Sequence, residues 1–274
     1  MTEQELILTE VLNCNRIDLY LGSPSLTKEN KERLMWMQQR RMSGEPLQYI
    51  IGHCDFMGIH LNVDERALIP RPETEILVEC VLEKMKAASK SPLNILDLGT
   101  GSGNVAIALA SLASLAVHQK GCFVTSVDIS PGAITLAKEN AQRNNVADRI
   151  QFVCGDMQSF MRQLMSEGKS FDGIVSNPPY IKTADLSFLP KDVQHEPHTA
   201  LDGGKDGLFY HRLIVEYGAR LLRDQGLLAL EIGDGQRVDL AQMLSQASYQ
   251  QVQFIKDYRG TDRIILATHS LEKG

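Results

Sequence analysis

The 274-residue chain holds only five cysteines, Cys14, Cys54, Cys80, Cys122 and Cys154, each at least 26 positions from the next and none in a Cys-x-x-Cys pair. That scatter excludes a disulfide framework and a thiolate metal centre, leaving reduced thiols as the expectation. Excess positive charge is missing as well. The formal charge is -6 and the pI about 5.7, so no general attraction to a polyanion is encoded. The opening MTEQELILTE lacks the basic, apolar and small-residue order of a signal peptide. The longest apolar run, Val105 to Val117, carries two serines and is too short to span a bilayer, so it reads as a buried helix. A cytoplasmic protein without a membrane span is expected. The seven histidines, His53, His195 and His198 among them, show no metal-ligand spacing, and no metal is expected. Internal repeats and low-complexity tracts are absent.

What is present falls into three stretches, a size that suits a large domain with a small one attached. Residues 1–48 read as helices: ELILTEVLN, then a Ser25-Leu26-Thr27 cap before KENKERLMWMQQRRM, ending at Ser43-Gly44. Lys31, Arg33, Arg40 and Arg41 lie on this segment and are expected to be solvated helix charges rather than a contact surface. Residues 49–72 hold Gly52 and Gly58, aromatic and β-branched residues and a closing Pro70, the pattern of a β-hairpin linker. From residue 73 to 274 helical and strand patterns alternate, which predicts a mostly parallel sheet covered by helices on both faces. The last two strands, joined at Arg259-Gly260-Thr261, are expected to be its antiparallel exception.

Two features mark a ligand site. Ile95-Leu96-Asp97-Leu98 runs into Gly99-Thr100-Gly101-Ser102-Gly103, placing three glycines where a strand turns into a helix. Backbone there passes close to a ligand and offers N–H groups at a positive helix end. The spacing is not the dinucleotide G-x-G-x-x-G, since Asn104 stands where its third glycine belongs, and no Gly-Lys-Ser/Thr marks a P-loop. The next strand ends at Asp128, 31 residues after Asp97. A carboxylate at a strand's carboxyl end, facing the glycine loop, is placed to accept both hydroxyls of a ribose. A third strand ends at Cys154-Gly155-Asp156-Met157, where a polar side chain suits an adenine edge and an apolar one its face.

The other feature is Asn177-Pro178-Pro179-Tyr180 after a fourth strand. Two prolines remove two donors and make a stiff, extended corner. The Asn177 oxygen and the Pro178 carbonyl are then free to accept both protons of a planar –NH2 group, with Tyr180 placed to stack on the attached conjugated system. A weak nitrogen nucleophile held in this way is aimed for in-line attack without a strong base.

At these residues the chain resembles the class I methyltransferases that take a methyl group from S-adenosylmethionine to an exocyclic or amide nitrogen. N-P-P-Y alone does not choose among DNA adenine, RNA guanine and protein glutamine substrates. The linker narrows the likeness. Glu45-Pro46-Leu47-Gln48-Tyr49-Ile50-Ile51-Gly52, Phe56-Met57-Gly58 and Leu68-Ile69-Pro70-Arg71-Pro72-Glu73-Thr74-Glu75 closely match the HemK/PrmC family, the release factor glutamine methyltransferases. Glu196-Pro197-x-x-Ala200-Leu201, Asp206-Gly207-Leu208 and Asp257-Tyr258-Arg259-Gly260-x-x-Arg263 extend the match over nearly the whole chain.

The resemblance implies a Rossmann-like α/β fold with a mostly parallel seven-stranded sheet. It also implies a helical recognition domain over residues 1–48, a hairpin linker over 49–72 and a catalytic domain over 73–274. It implies S-adenosylmethionine held by Gly99, Thr100, Gly101, Ser102, Gly103, Asp128, Met157 and Asn177. Substrate glutamine is expected at Asn177, Pro178, Pro179 and Tyr180, with Asn177, Pro178 and Tyr180 in the catalytic role. The implied partner is the Gly-Gly-Gln motif of class-1 release factors, met by a monomer that takes no nucleic acid substrate. The leading helical segment is shorter than is usual in the family, which implies altered recognition. Relatives that methylate a ribosomal-protein glutamine usually differ at Pro72-Glu73-Thr74-Glu75, which favours the release factor. A nucleic acid adenine methyltransferase normally carries a basic recognition region, and a non-catalytic cofactor-binding scaffold has no need of every group the chemistry uses.

Overall fold

The computed structural model describes residues 2–22, 26–86, 92–116 and 121–270, so Ser25 of the expected cap and Val117 of the apolar run lie outside the described residues. Four helices open the chain: α1 (Glu3–Leu12), α2 (Asp18–Leu21), α3 (Lys28–Met42) and α4 (Leu47–Ile51). Thr2 and Glu5 form a capping box at the start of α1, and Thr27 caps α3 by accepting from the Asn30 N–H at 3.1 Å. Ile7, Val11, Met37, Leu47 and Ile50 make their common core. Arg33 is paired with Glu10, Arg40 with Glu45 and Arg41 with Glu3, so these three cations already have carboxylate partners within the unit.

Tyr49, Ile50 and Ile51, expected in the hairpin, are helical instead. Leu47 and Ile50 turn into the helical core, and Gly52 ends α4 in the left-handed conformation at φ 90, which a residue with a side chain adopts only with strain. The hairpin is therefore shorter, β1 (His53–Phe56) and β2 (Ile59–Asn62), turning at Met57 and Gly58.

Among the described residues the α-helices and strands that follow are α5 (Pro72–Lys86), β3 (Leu93–Leu98), α6 (Asn104–Ala116), β4 (Cys122–Asp128), α7 (Pro131–Arg143), β5 (Ile150–Cys154), α8 (Met157–Ser166), β6 (Phe171–Ser176), α9 (Lys191–Gln194), α10 (Phe209–Leu221), β7 (Leu222–Glu231), α11 (Arg237–Gln246), β8 (Tyr249–Lys256) and β9 (Asp262–His269). Ser130 caps α7 ahead of Pro131, as the sequence pattern predicts. Helix α8 is an element that pattern does not place. The seven strands lie in the order β5-β4-β3-β6-β7-β9-β8. Only β9 runs against the others: it pairs antiparallel with both β7 and β8, because the closing hairpin inserts its second strand beside β7.

Strand β3 shows why such strands read as continuous apolar runs. Ile95 packs on one face with Leu77, Val81 and Ile107, while Leu96 and Leu98 pack on the other with Ile214, Leu221 and Leu240. From Ile95 to Leu98 both faces are buried, so alternation of side chains leaves no position there for solvent. Each such side chain contributes about 1.5–3 kcal/mol on burial. The chain leaves β3 for β4 and β5 on one side and returns to β6 on the other, opening a crevice at the carboxyl ends of β3 and β6.

Candidate active site at the carboxyl ends of β3 and β6

A cavity of about 960 Å³, counting the part open to solvent, lies in that crevice. The glycine loop forms its floor. Gly99 and Thr100 donate their N–H groups to the Val127 carbonyl at 2.9 and 3.1 Å, which holds the loop against the end of β4. Gly101 lines the cavity at φ 54, and a Cβ there would meet no protein atom within 4 Å. Gly103, at φ 84, serves packing: a Cβ would stand 3.0 Å from Ile107 Cδ1 and 3.1 Å from Ala137 Cβ, so its absence lets α6 approach α7.

Asp128 faces the loop from the end of β4. Its Oδ2 accepts the Gly101 N–H at 2.9 Å and its Oδ1 the Ser130 N–H at 2.9 Å. Burial holds this carboxyl above the usual carboxylate range, against the pull of those N–H groups. Met157 lines the cavity as the first residue of α8, and Asp156 caps that helix by accepting the Ser159 N–H at 2.8 Å. Ser102 also lines the cavity, and its buried Oγ has no hydrogen-bond partner. A carboxylate beside half-buried loop glycines, an unpartnered hydroxyl and an apolar flank fit a nucleoside carrying a polar tail, as in S-adenosylmethionine.

Asp97, which the sequence pattern used only as a marker, lies fully buried beneath the loop. It accepts the Ser126 hydroxyl at 3.1 Å, and burial pushes its carboxyl up to about 6. An acid next to last in a mostly apolar strand, separated from the glycines by Leu98 alone, was the available signal.

The N-P-P-Y corner forms the opposite wall through Asn177 and Pro179. Asn177 Nδ2 donates to Thr74 Oγ1 at 3.0 Å, and Thr74 donates in turn to Glu231 Oε2 at 2.6 Å. Pro178 is buried behind the wall. Tyr180 is also off it: its hydroxyl donates to Glu231 Oε1 at 3.2 Å, and its Cδ2 lies 3.0 Å from where a Cβ on Gly233 would stand. Gln236 donates to the Tyr180 carbonyl at 3.2 Å. The cavity thus gathers Gly99, Thr100, Gly101, Ser102, Asp128, Met157, Asn177 and Pro179, and leaves Gly103, Pro178 and Tyr180 outside its lining.

The linker supplies a wall that sequence reasoning missed, from Arg66 to Arg71. Buried Glu196 accepts the Ile69 N–H at 3.1 Å and pairs with Arg71, and the Tyr49 hydroxyl donates to the Ala67 carbonyl at 2.7 Å. The Asn140 side chain accepts the Asn62 N–H at 2.8 Å and donates to the carbonyls of Asn62 and Ser102. One asparagine therefore joins the end of the hairpin to the glycine loop.

Residues 89–251 match the family described as a methyltransferase domain, and residues 2–52 match the PrmC N-terminal domain. The release factor glutamine methyltransferase of Thermodesulfovibrio yellowstonii is 38% identical over 98% of this chain and 92% of its own length. The chain belongs to the release factor glutamine methyltransferase family. The enzyme of that name from Moorella thermoacetica is 45% identical over 83% of this chain and 76% of its own. Among solved structures, a methyltransferase from Pyrococcus furiosus superposes with a TM-score of 0.55 at 17% identity, covering 89% of this chain and 100% of that one, a likeness of fold. In this methyltransferase the N-terminal match ends at Gly52, the glycine that closes α4. Among the described residues no helix is long and apolar enough to cross a membrane.

Proposed function

We infer that the enzyme transfers the methyl group of S-adenosylmethionine to the side-chain amide nitrogen of the glutamine in the Gly-Gly-Gln motif of class-1 release factors, acting as a cytoplasmic monomer. The observation that carries this reading is contiguity. The Asn177 carbonyl oxygen lies 4.0 Å from where a Cβ on Gly99 would stand, so the amide-holding corner adjoins the cofactor loop in one cavity.

Bound S-adenosylmethionine supplies an electrophilic methyl carbon. Gly99 to Ser102 shape the site of its amino-acid end, Asp128 accepts ribose hydroxyls and Met157 flanks adenine. The Asn177 oxygen accepts an amide proton of the substrate, and Pro178, buried behind the wall, and Tyr180, held on Glu231, brace the corner. Holding that proton fixes the plane of the amide and aims the nitrogen's electron density at the methyl carbon. Its surplus proton leaves after the new bond forms, so no strong base is needed. The carboxylate partners of Arg33, Arg40 and Arg41 and the charge of -6 support a protein over a nucleic acid substrate.

The test is incubation with labelled S-adenosylmethionine and, in parallel, a full-length release factor, a ribosomal large-subunit protein fraction, DNA and RNA, followed by mass spectrometry. Label on the Gly-Gly-Gln peptide alone is expected. Label on nucleic acid, or on a ribosomal protein in place of the release factor, overturns the reading.

A further inference from the structure

A side-chain amide has an accepting end and a donating end, and the reaction needs the accepting end of Asn177 turned to the substrate. Shape does not distinguish the two ends; hydrogen-bond polarity does. The polarity here is set two residues away. Glu231, the last residue of β7, is 1% exposed, and when ionised it only accepts. Thr74 gives its one hydroxyl proton to Glu231 Oε2 at 2.6 Å, so towards Asn177 it presents lone pairs alone. The group 3.0 Å from it must be a donor, the Nδ2 end of Asn177. Asn177 Oδ1 then remains as the free end, and it accepts no hydrogen bond among the described residues. Reversal of the amide would set oxygen against the Thr74 lone pairs and present –NH2 to the –NH2 of the glutamine.

We propose that Glu231 is a positioning residue for methyl transfer, acting through Thr74 to fix which end of Asn177 meets the substrate amide. The proposal rests on the glutamine-methylating reading above. It also accounts for a buried acid that the transfer itself does not use.

The groups around Glu231 are Thr74 and Glu73 of α5, Tyr180 of the corner, Arg263 of β9 and His211 of α10. The His211 Nε2 lies 2.9 Å from the Glu231 main-chain carbonyl. Arg263 is occupied by Asp257 and the Ile232 carbonyl. Burial pushes the Glu231 carboxyl up to about 7, against Thr74, Tyr180 and the Arg263 charge. Once protonated it must itself donate, and the oxygens it faces are those of Thr74 and Tyr180; the one-way order is then lost.

The experiment is single-turnover methylation of a full-length release factor at saturating S-adenosylmethionine, across pH. Thr74→Val removes the hydroxyl at nearly constant shape and is expected to slow transfer about tenfold or more, with cofactor affinity within about twofold. Thr74→Ser restores the rate. In an Asn177→Ala background Thr74→Val has no further effect, because the two act in series. The wild-type rate rises through neutral pH, and Glu231→Gln, which keeps the shape but adds a donor, lowers the rate and flattens that rise. A wild-type rate in Thr74→Val, an equal slowing of the Asn177→Ala enzyme, or an unchanged pH profile in Glu231→Gln overturns the proposal. A wild-type enzyme that leaves the release factor unmethylated overturns the substrate reading on which it rests.

Discussion

Thr74 and Asn177, 103 positions apart in the chain, meet at 3.0 Å and tie the first turn of α5 to the corner after β6. Pro72, Glu73 and Glu75 of the same turn are those of an ordinary helix start, with both acids at the positive end of the dipole. Glu75 also accepts the Met57 N–H of the hairpin turn at 2.9 Å. One short stretch thus starts a helix, anchors the linker and braces Asn177 on the cavity wall.

Asn177→Ala is expected to lower turnover about a hundredfold, since loss of one preorganised polar contact at the reacting group costs on the order of 3 kcal/mol in the barrier. Affinity for S-adenosylmethionine changes less. Tyr180→Phe keeps the ring and loses the hydroxyl on Glu231, so its effect is smaller. Single-turnover methylation with saturating cofactor measures both; a wild-type rate in Asn177→Ala would make N-P-P-Y only a rigid strand end.

Asp128→Ala weakens cofactor binding by about 1.5–3 kcal/mol, roughly ten- to a hundredfold in dissociation constant, because a charged acceptor is lost. The same change releases the Gly101 and Ser130 N–H groups, which loosens the loop. Isothermal titration of a folded variant decides the matter, and unchanged affinity removes Asp128 from the site.

Gly203→Ala tests how tightly the corner is cast. A Cβ there would lie 2.7 Å from Tyr180 Cα and 2.8 Å from the carbonyl oxygens of Pro179 and Gly207, all backbone atoms that cannot swing aside. Overpacking of this kind costs about 1–3 kcal/mol, a fall of roughly 2–10 °C in Tm for a domain of this size. Turnover falls while cofactor affinity holds. Thermal unfolding at the wild-type Tm, with wild-type turnover, would show that the corner yields at little cost.

Stability carries a pH signature of Glu231. Its carboxyl rises from 4.5 to about 7 on folding, so between those values the folded protein keeps a proton that the unfolded chain has lost. The contribution is fully present below about 4.5 and is lost as pH rises through about 7, on the order of 3 kcal/mol in all. His211, pushed down to about 4 by burial, acts in the opposite sense but is common to wild type and Glu231→Gln. Urea denaturation at pH 5 and pH 8 should therefore show the variant gaining on wild type at the higher pH. A gap that does not move between the two would sink this assignment.

The backbone rules that act over a few residues were legible without the structure. The strand Leu93–Leu98, the glycine turn, the Ser130 cap and the Pro178-Pro179 corner each announce themselves within a few positions, because sterics and capping are local. Asp128 was legible because a strand's carboxyl end is a place defined by alternation alone. The hairpin's start was misplaced because aromatic and β-branched residues suit a strand as well as a short buried helix, and only contact of Leu47 and Ile50 with the helical core separates the two.

From the sequence alone came the order of helices and strands, the glycine turn after β3 and the stiff Pro178-Pro179 corner after β6, the last two of which border one cavity. Tertiary structure alone decided which distant groups complete them. Glu231 reaches Thr74 across 157 positions and Glu196 reaches Ile69 across 127, and no periodicity records such pairs. A carboxylate in a sequence reads as solvated; only packing from several elements at once removes its water and makes its partners matter.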